Sequence, residues 1–252
     1  MIEVFILSLV QGVTEFLPIS SSSHLILMSK YFNFENQGLS IDVSLHIGSF
    51  MAVVFYFYKD ILNFIENKIL FLKIFVSSIP VILFGFFLVK SGAIERIRSL
   101  ETIAWMTTIF GILLFISDKS KLEKSIQKNF TFKSAIIIGL LQTLSLFPGV
   151  SRSGIAITAA RFLNYKRTDS AKISFLLSIP ILGAVSAFGI KNILFSENLN
   201  FSAVNLIAIF FSFLFSFLTI KYFLKYINKF NLNIFVFYRI IIGLLLLTLA
   251  YL

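Results

Sequence analysis

QGVTEFLPISSSSH (residues 11–24) and QTLSLFPGVSRSG (residues 142–154) are the two polar stretches of an otherwise apolar chain, and they resemble one another. A shift of 131 positions, without a gap, superimposes four identical pairs: Gln11 on Gln142, Phe16 on Phe147, Ser20 on Ser151 and Ser22 on Ser153. Ionisable groups such as those of Glu15, His24 and Arg152 are costly in hydrocarbon, about 2.5–3.5 kcal/mol for a charged one on insertion scales, so they usually mark a working site. The two stretches therefore predict a duplicated element with a function.

The composition of the rest of the chain is typical of a membrane protein. The 252 residues are 58% hydrophobic, with a mean hydropathy of +0.92, and include 32 Phe and no Cys. Each apolar run is close to the roughly 20 residues that a helix needs to cross a bilayer. The runs lie at about 2–28, 41–58, 70–90, 102–117, 134–160, 171–190, 203–224 and 234–252. Without an alternating barrel pattern, only helices satisfy their own backbone in lipid. We predict an all-α polytopic protein forming a single membrane domain over residues 1–252.

The distribution of positive charge predicts how the helices cross. If both polar stretches are re-entrant helical hairpins and the other six runs are transmembrane helices, fifteen basic residues fall on one side and five on the other. The positive-inside rule makes the first side cytoplasmic and puts both termini outside. The basic loops are 59–73, 118–133, 161–172 and 221–233. The net charge of +10 is thereby explained by topology and anionic lipid, without a nucleic-acid partner.

The same arrangement predicts an inverted repeat. A hairpin and three crossings, about residues 1–117, precede a hairpin and three crossings of opposite orientation, about residues 134–252. Such repeats place sites at the midplane, where broken helices meet. The alternative is that two Ser/Pro stretches match by chance.

The second stretch predicts an anion site. Pro148 and Gly149 end one helix, and Ser151, Arg152 and Ser153 begin the next. Free amides, hydroxyls and a guanidinium at a helix N-terminus suit a phosphate group. A serine-rich kink for close helix packing is the alternative for the serines, although it does not explain Arg152.

The first stretch predicts a titratable centre beside that anion site. Gln11 and Glu15 share a helical face and could hold a divalent cation or orient water, unless Glu15 merely neutralises Arg152 or Arg239. His24, beyond the break, could act as a general base, a general acid or a nucleophile. His46 follows Asp42 by four residues, and an interfacial structural role is as consistent with it as a site role.

Four strings together resemble the undecaprenyl-diphosphate phosphatase family, the integral-membrane bacitracin-resistance proteins of bacteria. They are EFLPISSSSH (15–24), DVSLHIGSFMAVVFYFYKDI (42–61), PGVSRSG (148–154) and AKISFLLSIPILGA (171–184). The family pattern of Glu or Gln, three residues, then Glu is met by Gln11 and Glu15. Ser20, Ser21 and His24 meet Ser-Ser-x-x-His, and Pro148 to Ser153 meet PGxSRS.

The resemblance implies hydrolysis of undecaprenyl diphosphate to the monophosphate, which recycles the lipid carrier for peptidoglycan and other cell-wall polymers. It implies a multi-pass protein of the bacterial cytoplasmic (inner) membrane, a site facing outward, and Mg²⁺ or Ca²⁺ held by Gln11 and Glu15. Phosphate-binding residues are expected to be Ser20, Ser22, Ser151, Arg152 and Ser153. The catalytic residues are expected to be Glu15, Ser21, His24 and Arg152. The lipid substrate and the bilayer are the implied partners, and a homodimer stays open.

Three points stay open at this stage. The nucleophile is His24 or the Ser21 hydroxyl; we prefer His24, because its imidazole needs no prior deprotonation. A polyprenyl-phosphate transporter or flippase would share the inverted-repeat architecture, although binding alone does not require a titratable base beside a hydroxyl. An acid-phosphatase type with a nucleophilic His ranks third, because the expected His and Asp do not follow Arg152 at the required spacing.

Overall fold

The computed structural model describes residues 1–252 except 33, 35–37, 67, 94–96, 122 and 196–201. Arg96, one of the five basic residues on the side predicted to lie outside, is not among the described residues. Every regular element in the described part is helical. The elements are α1 Ile2–Thr14, α2 Ser21–Phe32, α3 Leu39–Tyr56, α4 Tyr58–Glu66, α5 Lys68–Lys90, α6 Leu100–Asp118, α7 Ile126–Asn129, α8 Phe132–Gln142, a 3₁₀ turn Thr143–Leu146, α9 Arg152–Phe162, α10 Arg167–Phe195, α11 Ala203–Ile227 and α12 Asn233–Tyr251.

Six of these helices are long and apolar enough to cross a membrane: α3, α5, α6, α10, α11 and α12. Their outward faces carry large apolar side chains such as Phe84, Phe86 and Phe87, each more than half exposed. A soluble protein rarely exposes contiguous apolar surface on this scale, whereas lipid covers it without cost. The predicted all-α polytopic membrane protein with six crossing helices is thus confirmed.

The two polar stretches form the breaks between pairs of short helices that pack on each other. The first break, residues 15–20, joins α1 to α2, and the second, residues 143–151, joins α8 to α9. The α8–α9 pair leaves from and returns to one end of the molecule, since the Tyr165 hydroxyl after α9 donates to the Asn129 carbonyl before α8 (2.7 Å). Both pairs are helical hairpins in this sense, and their re-entrant position in a bilayer stays a prediction.

The helix contacts occur in matched sets. α1 packs on α11 as α8 packs on α5, and α3 packs on α11 as α10 packs on α5. Two further contacts join α3 to α10 and α6 to α12, which are counterparts in the predicted repeat. These contacts are what a two-fold relationship between the halves would produce, whereas the packing of α9 on α10 and α6 has no counterpart of similar extent at α2.

Small residues allow these helices to approach closely. A Cβ on Gly12 of α1 would lie 2.5 Å from the Phe215 Cβ of α11, and a Cβ on Gly139 of α8 would clash with the Ser77 carbonyl of α5. Inside a bilayer no hydrophobic driving force brings helices together. Membrane helices therefore associate through van der Waals packing, and small residues let their backbones approach closely. These contacts seat both hairpins against long helices.

The four basic loops meet at one end of the molecule. Asp118 accepts from Arg167 (2.7 Å) and from the Leu232 amide (3.1 Å), which joins the end of α6 to the starts of α10 and α12. Lys172 forms an ion pair with Asp60 of α4, which brings the basic segment 59–73 to the same end. The sequence predicts a loop there, but the segment consists largely of α4 and the first turns of α5. The arrangement matches the grouping that the charge distribution predicts.

Candidate active site

The two breaks meet around a polar cavity of about 190 Å³. This is smaller than the roughly 300–1,000 Å³ of sites that enclose a drug-sized molecule, so it suits a polar head group rather than a lipid chain. Both polar stretches contribute to its walls, together with α3 and α10. The lining residues are Glu15, Ser20, Ser21, Ser22, His46, Ser145, Ser151, Arg152, Ile181, Leu182 and Val185.

A buried ion pair joins the two breaks inside this cavity. Arg152 Nη2 lies 2.9 Å from Glu15 Oε1, with side chains 11% and 6% exposed. Burial of either charge alone would be strongly unfavourable, so each stabilises the other. Glu15 is thus paired with Arg152, one of the two partners that sequence left open.

The second oxygen of the carboxylate binds the serine after the first break. Ser21 Oγ donates to Glu15 Oε2 at 2.6 Å, and Gln11 Nε2 donates to the same oxygen at 3.1 Å. A hydroxyl this close to a carboxylate is the geometry of a nucleophile beside its general base. The guanidinium on the other carboxylate oxygen adds a stabiliser for negative charge within the same group of side chains.

Serines shape the backbone of both breaks in the same way. Ser20 and Ser151, which the repeat superimposes, have φ of 75° and 71°, a left-handed region that non-glycine residues seldom adopt. Ser20 Oγ lies 3.3 Å from Ser22 Oγ, and Ser151 Oγ lies 3.1 Å from Ser153 Oγ. Strained backbone of this kind persists where the surroundings over-determine it, often at ligand sites.

The N-terminus of α9 opens at the cavity. Ser151 caps the helix by accepting from the Gly154 amide (3.1 Å), and Arg152 is its first residue. The helix dipole and free amides there favour an anion. Ser153, predicted to bind phosphate directly, donates instead to the Leu17 carbonyl of the first break (2.7 Å) and is not among the lining residues.

The structure separates the two histidines. His24 lies outside the residues that line the cavity: its Nδ1 donates to the Ser20 carbonyl (2.6 Å), and its Nε2 lies 2.6 Å from the Tyr238 hydroxyl. His46 lines the cavity, with Nδ1 donating to the Asp42 carbonyl (2.8 Å). No hydrogen-bond partner for His46 Nε2 occurs in the part of the chain that the structure describes.

Known proteins are similar to this chain over nearly its whole length. The profile of the family described as "Bacitracin resistance protein BacA" matches residues 4–245. The chain belongs to this family. A protein named undecaprenyl-diphosphatase from Pelagibacter ubique (strain HTCC1062) is 48% identical over 251 residues, covering 99% of this chain and 98% of that protein. Proteins of the same name from Saccharophagus degradans and Jannaschia sp. (strain CCS1) are 41% and 37% identical, over 94% and 98% of this chain and 93% and 97% of their own. The resemblance that the four strings indicate is confirmed.

The cavity of this BacA-family chain offers oxygen ligands for a divalent cation. Mg²⁺ commonly binds one or two carboxylates together with substrate phosphates, and Glu15 with the serine hydroxyls fits that pattern. Gln11 lies behind Glu15 without lining the cavity, although its Oε1 is a buried oxygen with no hydrogen-bond partner among the described residues. No cluster of three or more His, Cys, Asp or Glu occurs in the described ranges, so the substrate would have to complete the ligand set.

Sequence reasoning did not single out Ser145 and Tyr238, and it considered Arg239 only as a partner of Glu15. Ser145 lies within the second polar stretch, so its membership of that stretch was an available signal. Tyr238 and Arg239 lie in an apolar crossing with no pattern that indicates contact with the breaks. The intramembrane charge of Arg239 was the available signal, because such residues usually face a polar interior.

Proposed function

We propose that this protein is a phosphatase that hydrolyses undecaprenyl diphosphate to undecaprenyl phosphate and inorganic phosphate. The product is the lipid carrier for peptidoglycan and other cell-wall polymers, and its recycling would confer resistance to bacitracin. Relatives similar over nearly their full length bear the name undecaprenyl-diphosphatase. The observation that carries the proposal is the meeting of Ser21, Glu15 and Arg152 in one cavity, since this set can both bind and cleave a diphosphate.

Substrate binding would begin with an exchange of partners at Arg152. A terminal phosphate carries more charge than a carboxylate and accepts two parallel guanidinium bonds, so it competes with Glu15 for Arg152. The serine hydroxyls and the α9 amides complete the anion site. Once Arg152 binds the phosphate, Glu15 Oε1 loses its bond to the guanidinium. The Glu15 carboxylate is then a stronger base at the moment the substrate is bound.

The chemical step that follows from this geometry uses Ser21 as the nucleophile. Ser21 Oγ attacks the terminal phosphorus while its proton passes to Glu15 Oε2, which it already contacts at 2.6 Å. The bond from that phosphorus to the bridging oxygen breaks, and undecaprenyl phosphate leaves with the bonding electrons. Water then cleaves the phosphoserine, giving phosphate and restoring the hydroxyl. Arg152 stabilises the phosphoryl charge in both steps, which is where most phosphoryl-transfer catalysis originates.

His24 remains the alternative nucleophile. Against it, both ring nitrogens have partners and the ring is stacked on Tyr238, with centroids 5.8 Å apart. To attack phosphorus, His24 would have to leave Tyr238 and turn into the cavity. Its present contacts support a role in fixing the Ser20 turn beside Ser21.

A divalent cation, Mg²⁺ or Ca²⁺, is part of the proposal. Glu15, with Gln11 as the predicted second ligand, would hold the cation, which would supply neutralisation of the phosphate charge and polarisation of a phosphorus–oxygen bond. The protein's own contribution is to hold the Glu15 carboxylate toward the cavity, through the Gln11 amide and the Ser21 hydroxyl.

We propose that the protein lies in the bacterial cytoplasmic membrane with both hairpins re-entrant and the cavity open to the outer face. The basic end would then be cytoplasmic and both termini outside. Because the chain has no Cys, single cysteines at Ser120 and Leu252 can report this directly. An impermeant thiol reagent added to whole cells should label the second and not the first, and the reverse pattern would refute the topology.

A transporter or flippase for polyprenyl phosphate is the second candidate, favoured by the matched packing of the two broken-helix pairs. Purified protein with undecaprenyl diphosphate in detergent separates the two, because a transporter releases no phosphate. We expect phosphate release that stops when a chelator is added and returns with Mg²⁺ or Ca²⁺. Binding of the lipid without release would overturn the phosphatase proposal.

A further inference from the structure

Arg239 of α12 connects both breaks although it does not line the cavity. The residue is fully buried in the middle of the molecule. A guanidinium in this position needs an acceptor for each of its five N–H groups, since none can reach water. Its contacts therefore show what it holds together.

All five donor positions are directed at backbone carbonyls. In the first break, Nη1 donates to the Pro18 carbonyl (3.0 Å). In the second break, Nη2 donates to Gly149 (2.8 Å) and Nη1 to Val150 (3.0 Å). Nε donates to the Thr107 carbonyl of α6 (3.2 Å), and Nη2 also reaches the Met106 carbonyl (3.5 Å). One side chain thus spans three segments of the fold.

The carbonyls of Pro18, Gly149 and Val150 lie in the breaks, outside the regular helices, whereas those of Met106 and Thr107 lie within α6. In a bilayer, irregular backbone is stable only where protein or a wet cavity satisfies it. Pro18 lies three residues after Glu15, and Val150 lies two residues before Arg152. By donating to these carbonyls, Arg239 acts as a clamp between the two breaks. The clamp therefore also sets the distance between Glu15 and Arg152 in the cavity.

The space around the guanidinium is closely fitted. A Cβ on Gly154 would lie 3.0 Å from Arg239 Nη1, and a Cβ on Gly111 of α6 would lie 3.0 Å from Arg239 Cβ. A lysine in this place supplies a point charge with three donors and no planar fork, so it could not hold both breaks at once.

We propose that Arg239 is a positioning residue that holds the two breaks in register, so that Ser21 and Glu15 face Arg152. The activity arm of its test rests on the phosphatase function proposed above, whereas the geometric arm does not. Arg161 is the matched control: it is also buried and donates to the carbonyls of Tyr165, Asp118 and Ser120, but it lies nine residues along α9, about 13 Å from Arg152.

The activity arm compares Arg239→Lys with Arg161→Lys in purified, folded protein. Misplacement of reacting groups by about 1 Å can cost about 10²-fold in rate. We expect Arg239→Lys to lower kcat by about that factor with KM changed less than about threefold, because the groups that bind phosphate are still present. Arg161→Lys should keep kcat near the wild-type value, and equal losses in the two variants would overturn a positioning role.

The geometric arm replaces Glu15 and Arg152 with cysteines in the cysteine-free chain and bridges them with a short reagent that reacts with two thiols. The two side chains meet in the structure, so bridging should be fast. Arg239→Lys in this background should slow bridging by about tenfold or more through a loss of effective concentration, and Arg161→Lys should leave it unchanged.

Unchanged bridging in the Arg239→Lys background would overturn the proposal, even if activity fell. If Arg239→Lys does not fold, Gly111→Ala decides, because a Cβ there would lie 3.0 Å from Arg239 Cβ and press on that side chain without meeting either break. Slower bridging there supports the clamp and wild-type bridging refutes it. If the wild-type protein releases no phosphate, the proposed function fails, and the bridging rate still decides the role of Arg239.

Discussion

The two breaks share a backbone but differ in chemistry and in surroundings. Ser20 and Ser151 adopt the same left-handed φ, and each contacts the serine hydroxyl two residues on. At the next position the copies diverge, since Ser21 carries a hydroxyl where Arg152 carries a guanidinium. A duplicated turn thereby supplies two different parts of one site.

The helices that follow the breaks also differ. Residues Ser153 to Arg161 of α9 are all buried, and α9 packs on α6 and α10 as well as on α8. α2 packs mainly on α1, and much of its surface is partly exposed. The anion-binding half of the site is therefore built on a fixed element, and the Ser21 half lies on a less enclosed one.

The largest expected effect tests whether Ser21 supplies the attacking atom. Ser21→Ala should lower kcat by at least about 10³-fold, as loss of a nucleophile does elsewhere, whereas His24→Ala should retain measurable turnover. Phosphoenzyme trapping with labelled substrate checks the assignment. An acid-stable adduct means phosphoserine, and an acid-labile, base-stable one means phosphohistidine. If both variants kept full activity, direct attack by water would be the remaining mechanism.

The next effect tests the diverged position of the second break. Arg152→Lys should lower kcat by at least about 10²-fold, because a point charge cannot reproduce bidentate contact to a phosphate. Arg161→Lys serves again as the control for losing a buried guanidinium away from the cavity. Steady-state phosphate release by both variants gives the answer. Near-normal turnover of folded Arg152→Lys protein would make the Glu15–Arg152 pair purely structural.

A smaller effect distinguishes the histidine in the cavity from the one beside it. His46→Gln should reduce kcat by about tenfold if His46 Nε2 contacts the phosphates, less than the roughly 10²–10⁴-fold of a general acid or base, because such a contact transfers no proton. His24→Gln can keep a donor or an acceptor toward Tyr238, so a smaller loss is expected there. Parallel kinetics of the two variants test this, and a larger loss for His24→Gln would restore His24 as the principal histidine.

The prediction from sequence was accurate where it depended on periodic or local signals. Hydropathy predicts eight apolar runs, and the polar stretches with the charge distribution reduce them to six crossing helices, as observed. The gap-free match of the two stretches predicts a shared site, and Glu15, Ser21 and Arg152 line one cavity. The sequence favours His24 over His46, whereas His46 lines the cavity and His24 does not, because the direction of each ring depends on how α2 and α3 pack. The sequence does not predict the role of Arg239 either. Its partners are backbone carbonyls, which every residue has, so no pattern of side chains indicates them.

The smallest expected effect concerns whether the equivalent serines of the two breaks, Ser20 and Ser151, contribute equally to the free energy of unfolding. Ser151 Oγ accepts from the Gly154 amide and caps α9, whereas the contacts of Ser20 Oγ are with the hydroxyls of Ser22 and Ser23. Loss of a capping side chain costs about 1 kcal/mol, so Ser151→Ala should lower the free energy of unfolding by about that amount. Ser20→Ala should cost less, because it removes only contacts between hydroxyls and no bond that caps a helix. Both variants place alanine at the same positive φ, so backbone strain cancels in the comparison. Thermal unfolding in one detergent measures the difference, and equal losses would mean that the first break relies on its serine as much as the second does.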